Sequence, residues 1–435
     1  MKLNRITLAS AALALLLSPA AVAQDPRAPQ DAAPAAGEEG IFDSGAFDAA
    51  SGAASGAASS AAAERGTGAA GGAAKTEYLV GGEALVSATS AFPSDFGGYA
   101  LSSAASGKLF AKVSVPDYGS LYASYGVYEP FFGADGGDGA AALAAGSASS
   151  SPSYALTEFY YSFDFGKLVF VRLGKQLLAW GPSVVWSPVD FANAQKYDFF
   201  APVDLRQGES GLKLFAPIGK ANATFFADFS GVDAAEISSR AGFRAARYSA
   251  RLDATIGGFE LGISGLASEA AQAQAGLDFS GDLLGAAVYG ELAAAPAYSG
   301  YTRSWAASLG LSRSLDDLKR WTFSAEGFFQ SAGSDYTGNP AAMSSLPSLY
   351  IGKYYGYAAL KADELFSKDL ASTVSGLANL SDFSYTVSFQ EDFSLPNAPS
   401  CSLLVSYAGG GENKEFTYLA GDGSLSLTAR TLIQF

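Results

Sequence analysis

From Glu77 to Phe435 apolar and polar residues alternate with period two in run after run, the imprint of strands whose two faces meet different surroundings. Between Arg320 and Gln330, Trp321, Phe323, Ala325, Gly327 and Phe329 share one face. Thr322, Ser324, Glu326 and Gln330 share the other with Arg320 and Phe328. Phe383, Tyr385, Val387 and Phe389 oppose Asp382, Ser384, Thr386, Ser388 and Gln390 in the same way. Trp305, Ala307, Leu309 and Leu311 oppose Ser304, Ser308 and Ser312, and Tyr248, Ala250, Leu252 and Ala254 oppose Arg247, Ser249, Arg251 and Asp253.

Alternation also marks soluble antiparallel sheets, so run length and connections must decide. The runs last about 9 to 13 residues, enough for a tilted strand to cross a bilayer and longer than soluble strands, which average about 5 to 6. Tight connections (Pro116 to Gly119, Phe165 to Lys167, Ile218 to Lys220, Gly257-Gly258) alternate with long ones (Gly133 to Ser151, Leu177 to Gln207, Ser331 to Leu349, Gly409 to Asp422). Short turns inside and long loops outside are the habit of outer-membrane barrels. The expected fold is all-β: a transmembrane antiparallel up-and-down β-barrel of about 18 strands, with 16 as the fallback. Within Tyr350 to Leu380, the piece Lys361 to Leu370 reads almost as a helix.

The first 23 residues fit an export signal. Lys2 and Arg5 precede the apolar Ile6 to Leu17, and Ala21-Val22-Ala23 offers a cleavage site before Gln24. Residues 24–76, rich in Ala, Gly, Ser and Pro, hold too little side-chain bulk to offset ordering entropy and are expected to be a flexible tether. Inside it, Ile41-Phe42 with Phe47 is either a chance apolar spot or a short docking segment. The barrel is then expected over 77–435. At its end Leu425, Leu427, Ala429, Ile433 and Phe435 oppose Ser426, Thr428, Arg430 and Gln434, with Thr431 and Leu432 out of pattern. This strand, with Ile433 and the terminal Phe435, resembles the assembly signal of Gram-negative outer-membrane proteins. The resemblance implies recognition by the barrel-assembly machinery and a place in the outer membrane of a diderm bacterium.

Composition narrows function more than fold. A formal charge of -15 among 435 residues disfavours a nucleic-acid partner. Histidine is absent and Cys401 is the lone cysteine, which removes the commonest general base, the commonest metal ligand and any internal disulfide. No Gly-x-Ser-x-Gly elbow or phosphate loop occurs, and no apolar run is long enough for a spanning helix. Neither an enzyme nor a metal or other cofactor is expected.

One segment stands apart. Val171-Arg172-Leu173-Gly174-Lys175-Gln176 leads into Trp180-Gly181-Pro182 and then Trp186-Ser187-Pro188-Val189-Asp190-Phe191-Ala192-Asn193. The run is similar to a motif of porin-like outer-membrane barrels, alginate-type exporters among them, where a strand ending in Gly-Lys/Arg-Gln is followed by Trp-Gly and Pro-x-Asp. Pro182, Pro188 and Pro202 stiffen the loop and remove backbone donors, while Trp180 and Trp186 need somewhere to pack. Two placements are open. The 177–207 loop can fold into the lumen as a constriction, putting Arg172, Lys175, Asp190, Asp198, Asp204 and Arg206 beside the passage; or its tryptophans can anchor the rim in the aromatic girdle.

Charges expected to face the lumen are Arg172, Arg247, Arg251, Arg320 and Arg430 against Glu158, Asp164, Asp228, Asp253, Glu260, Asp278, Glu326 and Asp382. The mixture suits a water-filled passage for small hydrophilic solutes, with Arg172, Lys175, Trp180, Trp186, Asp190, Arg206, Arg247 and Arg251 as candidate pore residues. The same charges could instead pair across strands in a plugged structural or surface-binding barrel. Outer-membrane lipid is the expected surrounding, and an oligomer is compatible with the sequence. Deleting Phe435 is expected to lower the yield of folded, heat-modifiable protein in outer-membrane fractions, whereas removing Gln24 to Ala74 leaves it near the parent level.

Overall fold

Strands with one apolar and one polar face can satisfy their backbone in a bilayer only by closing on themselves. In the computed structural model this closure is complete. The structure describes residues 76–132, 152–192, 202–297, 303–334, 350–394 and 399–435, less 234, 238, 270–271, 319, 366 and 419–420. The export signal and nearly all of the tether lie outside the described residues, as do Asn193 and Asp198 of the long loop.

Eighteen strands follow in order. They are β1 (Glu77–Phe92), β2 (Ala100–Val115), β3 (Gly119–Phe132), β4 (Ser153–Phe165), β5 (Val169–Gln176) and β6 (Glu209–Ile218). Next come β7 (Ala221–Asp228), β8 (Arg247–Ile256), β9 (Phe259–Ala267), β10 (Gln274–Leu283), β11 (Ala286–Ala295) and β12 (Ser304–Ser314). The last six are β13 (Trp321–Gln330), β14 (Tyr354–Asp363), β15 (Leu370–Asn379), β16 (Ser384–Phe393), β17 (Ser400–Gly409) and β18 (Ser424–Gln434). A short helix, α1 (Arg240–Ala245), sits between β7 and β8. Each strand pairs antiparallel with its sequence neighbours, and β1 pairs with β18 from Glu83↔Gln434 to Phe92↔Leu425, so the ring has no free edge. Fold class and strand number agree with the sequence reading.

The two faces separate by chemistry. Leu277, Leu309, Ile263, Val374 and Leu427 stand exposed on the outside, while Ser249, Thr428, Ser384, Asp278 and Glu326 are buried towards the bore. Oxygen-rich residues thus line the inside and hydrocarbon covers the outside, the arrangement a bilayer demands.

Several details sharpen the sequence reading. Lys361 to Leu370 is no helix: Lys361 and Ala362 continue the ladder with Thr322 and Trp321, and β15 restarts at Leu370. Ladder pairing on both sides outweighs local helix propensity there. Thr431 and Leu432 break the composition of β18 but not its register, and Leu432 meets Leu85 across the seam. Arg320 lies on the turn before β13, half-exposed and 3.5 Å from Asp316. Asp382 likewise sits beyond β15 and serves the rim, accepting from the N–H of Ser384 at 2.8 Å.

Glycine is required where the chain launches the long loop. Gly174 has φ +135°, and a Cβ there would lie 2.1 Å from the carbonyl oxygen of Phe159. Gly174→Ala combines strain with a backbone clash and is expected to cost about 2 kcal/mol or more, read as a lower urea midpoint in detergent micelles.

Candidate functional site

The loop between β5 and β6 begins and ends beside the same two strands, yet its limbs go to different walls of the barrel. The outgoing limb starts at Leu177, whose N–H donates to Glu158 Oε1 at 3.1 Å, and then crosses to the inner face of β9 to β14. Pro182 and Pro188 forbid regular structure, so the N–H groups between them need outside acceptors. Two wall carboxylates provide them. Glu326 accepts from the N–H groups of Val184 at 3.0 Å, Val185 at 3.1 Å and Trp186 at 2.7 Å, and from the Tyr289 hydroxyl at 3.0 Å. Glu291 accepts from Ser183 N at 2.8 Å and Val189 N at 3.1 Å. Ser183 and Ser308 hydroxyls add a contact at 2.7 Å.

Successive N–H groups wrapped around a carboxylate form an anion nest, here filled by the barrel's own wall. Burying such a carboxylate costs several kcal/mol, and a bond from a neutral donor to a charged acceptor returns about 1.5–3 kcal/mol. Three backbone donors and one phenol on Glu326 offset part of that burial.

Apolar packing covers the nests. Trp180, Val189 and Phe191 form one cluster with Leu266 and Ala293, and Leu178 and Ala192 pack with Phe226. Trp186 stacks on Phe328 at 5.5 Å with 10° between planes and meets Tyr350 and Tyr355 edge-on or tilted, each at 5.8 Å. That contact accounts for Phe328 on the otherwise polar face of β13. Both tryptophans are therefore inside the barrel, 5% and 4% exposed, and away from the lipid-facing surface.

The return limb lies against the opposite wall. Val203, Asp204 and Arg206 are buried, and the Leu205 side chain comes close to Gly126 of β3. A register shift between β3 and β4 opposes Ser124 to Glu158 and Tyr125 to Leu156, leaving Thr157 as the extra residue. The Thr157 carbonyl is thereby free to accept from Gly208 N at 2.8 Å.

The candidate residues divide accordingly. Arg172 lies on the inner wall with its guanidinium 4.2 Å from the Tyr160 ring centroid, and faces Lys213 across the ladder. Lys175 Nζ donates to Gln207 Oε1 at 2.8 Å and ties the loop's stem. Asp190 closes a turn through its N–H to Ser187 O at 3.1 Å. Arg206 pairs within its own limb with Asp204 at 2.9 Å. Arg247 Nε donates to Asp228 at 2.6 Å and lies 3.4 Å from Glu209. Arg251 holds Asp278 at 2.7 Å and Asp253 at 2.6 Å. The structure brings Arg172, Lys175, Arg247 and Arg251 to the wall of β5 to β8, while Trp180 packs beside β9 and β11 and Trp186 beside β13 and β14.

Alternation marks Glu326 as a lumen charge but says nothing of its anchoring contacts, and Glu291 is not among the charges expected to face the lumen. Glu291 shares the inner face of β11 with Tyr289 and Ala293 opposite Leu292, so alternation carried the signal. Tyr355, Asn379 and Glu415, which gather at the loop rim, offered none. Among the described residues no group of acids and cysteine is arranged to hold a metal.

A closed 18-stranded barrel of this kind has solved counterparts. OccK9 (OpdG) of Pseudomonas aeruginosa superposes with a TM-score of 0.54 at 10% identity, covering 82% of this chain and 98% of that one. OccK5 (OpdH) of the same organism gives 0.53 at 8% identity over 82% and 98%, and OprD gives 0.51 at 9% over 82% and 95%. At such identity the likeness is one of fold, an 18-stranded OprD/Occ-type barrel over nearly the whole length of those chains. No family model matches the chain, and no curated protein matches it in sequence.

Glu326→Ala strands three loop N–H groups and is expected to cost about 3 kcal/mol. Limited proteolysis of the folded barrel should then cut within 183–190, where the parent chain resists.

Proposed function

We propose that this protein is an outer-membrane channel for passive passage of small hydrophilic solutes, with the loop between β5 and β6 narrowing the bore. The observation that carries the reading is the loop's two-sided attachment, with nests on Glu291 and Glu326 at one wall and Val203 to Arg206 at the other. A loop so held reduces the free cross-section, and its described residues form no helix or strand of their own. The solved barrels of this shape are outer-membrane channels, which supports the assignment. On this reading residues 1–23 direct export, 24–76 tether the barrel, Ile433 and Phe435 present the last strand to the assembly machinery, and the exposed apolar face meets lipid.

Arg172, Lys175, Trp180, Trp186, Asp190, Arg206, Arg247 and Arg251 then form or support the constriction. Arg247 and Arg251 each face two carboxylates, so the fixed field along their wall favours cations. A second reading, a plugged structural barrel, draws on the same ion pairs, because bases and acids satisfied by one another need no solute.

Planar-bilayer recording separates the two. The channel reading expects discrete conductance steps, a cation preference on the order of a few-fold in a salt gradient, and at least about a twofold rise in conductance once residues 178–206 are replaced by a short Gly-Ser link. Absence of conductance in both parent and deletion chains, with the barrel folded, selects the plugged reading.

A further inference from the structure

We propose that the segment Gly410 to Thr417, between β17 and β18, is a pH-sensitive strap across the loop rim, latched by Glu415. Its docking contacts are specific. The Glu415 side chain is 6% exposed and accepts from Tyr355 Oη at 2.6 Å, Asn379 Nδ2 at 2.6 Å and Ile351 N at 3.2 Å. Three separate pieces of the rim, β14, β15 and the segment entering β14, thus converge on one carboxyl. The Glu415 N–H in turn donates to Asp382 Oδ2 at 2.8 Å, and Phe416 N donates to Ser384 Oγ at 3.2 Å. Phe416 lies edge-on to Tyr355 at 6.5 Å and packs on the cluster of Val185, Trp186 and Tyr355. The strap therefore packs over the inward loop at Val185 and Trp186.

The groups that meet Glu415 are the carboxylate of Asp382, the phenol of Tyr355, itself edge-on to Tyr350, and the amide of Asn379; Glu412 and Lys414 are the other charged residues of its own segment. No ion pair to Glu415 exists among the described residues, so nothing cationic offsets its burial when it ionises. Burial pushes its carboxyl up from 4.5 to about 7, against the three donors and with help from Asp382. The proton thus favours the docked strap. Docking is strongest below pH 4.5, weakens as pH rises, and levels off above about 7. Linkage sets the whole change at about two orders of magnitude in the docking equilibrium. The latch itself does not depend on what the barrel conducts; only its effect on flow rests on the channel reading.

The test uses the full chain in lipid vesicles, with a nitroxide on Glu412→Cys in a Cys401→Ser background, read between pH 5 and pH 8. The mobile fraction is expected to rise at least tenfold with pH in the chain that keeps Glu415, and to stay flat in Glu415→Gln. Phe416→Ala, which keeps the carboxyl but removes the aromatic contact, is expected to be mobile throughout. In bilayers, long closures should be more frequent at pH 5 than at pH 8. A label equally mobile at both pH values, a Gln variant that titrates like its parent, or an immobile Phe416→Ala overturns the proposal. A label that titrates on a barrel that never conducts upholds the strap and removes the channel reading instead.

Discussion

Everything in this molecule depends on the hydrogen-bonded seam between β1 and β18. A lipid interior offers no partner to a bare N–H or carbonyl, so an open sheet of this size would carry two unsatisfied edges, each unpaired group costing several kcal/mol. Closing the ring removes both edges at once. Closure also creates the bore, and with it the need for a face that tolerates water. The period-two alternation answers both demands, because a strand in a closed ring must offer hydrocarbon outward and oxygen inward at every second residue.

Inside the ring, the inner wall and the long loop solve each other's problem. The loop brings N–H groups that its prolines keep from pairing locally; the wall brings buried carboxyl groups that need donors. Glu291 and Glu326 join the two deficits, and Trp186 seals the junction by stacking on Phe328. The basic side chains are matched in the same manner, Arg251 between Asp253 and Asp278 and Arg206 against Asp204. Charges inside this barrel are thus largely committed to its architecture, and the surplus of acid over base sets the residual field.

How much of this is readable from the sequence follows from the range of the interactions. Strand faces, strand number and the tight turns are local, so alternation and the glycine-bearing connections reported them: β13 was legible as Trp321 to Gln330, and Gly257-Gly258 as a turn with positive φ at both positions. Lys361 to Leu370 misled because its Ala, Lys, Glu and Leu content favours helix while its neighbours in the ring impose extended structure. Phe328 looked misplaced on a polar face because its partner, Trp186, lies far away in sequence. Glu415 gave no signal at all, since its three donors, on β14, at the end of β15 and in the segment entering β14, lie 60, 36 and 64 residues away along the chain.

The seam has a kinetic meaning as well. It joins strands such as Thr89 and Thr428, whose hydroxyls meet at 2.9 Å across 339 residues of chain. Every other rung of the ladder links strands adjacent in sequence, so hairpins can zip from any point, but this last contact must wait until all the others have bent the sheet round. Loop-closure entropy makes so distant a pairing the slowest event in assembly, and until it happens two strand edges lie open to other chains. The hydroxyl pair and the backbone bonds between Gly82 and Phe435 complete a structure that is vulnerable to aggregation at every earlier stage.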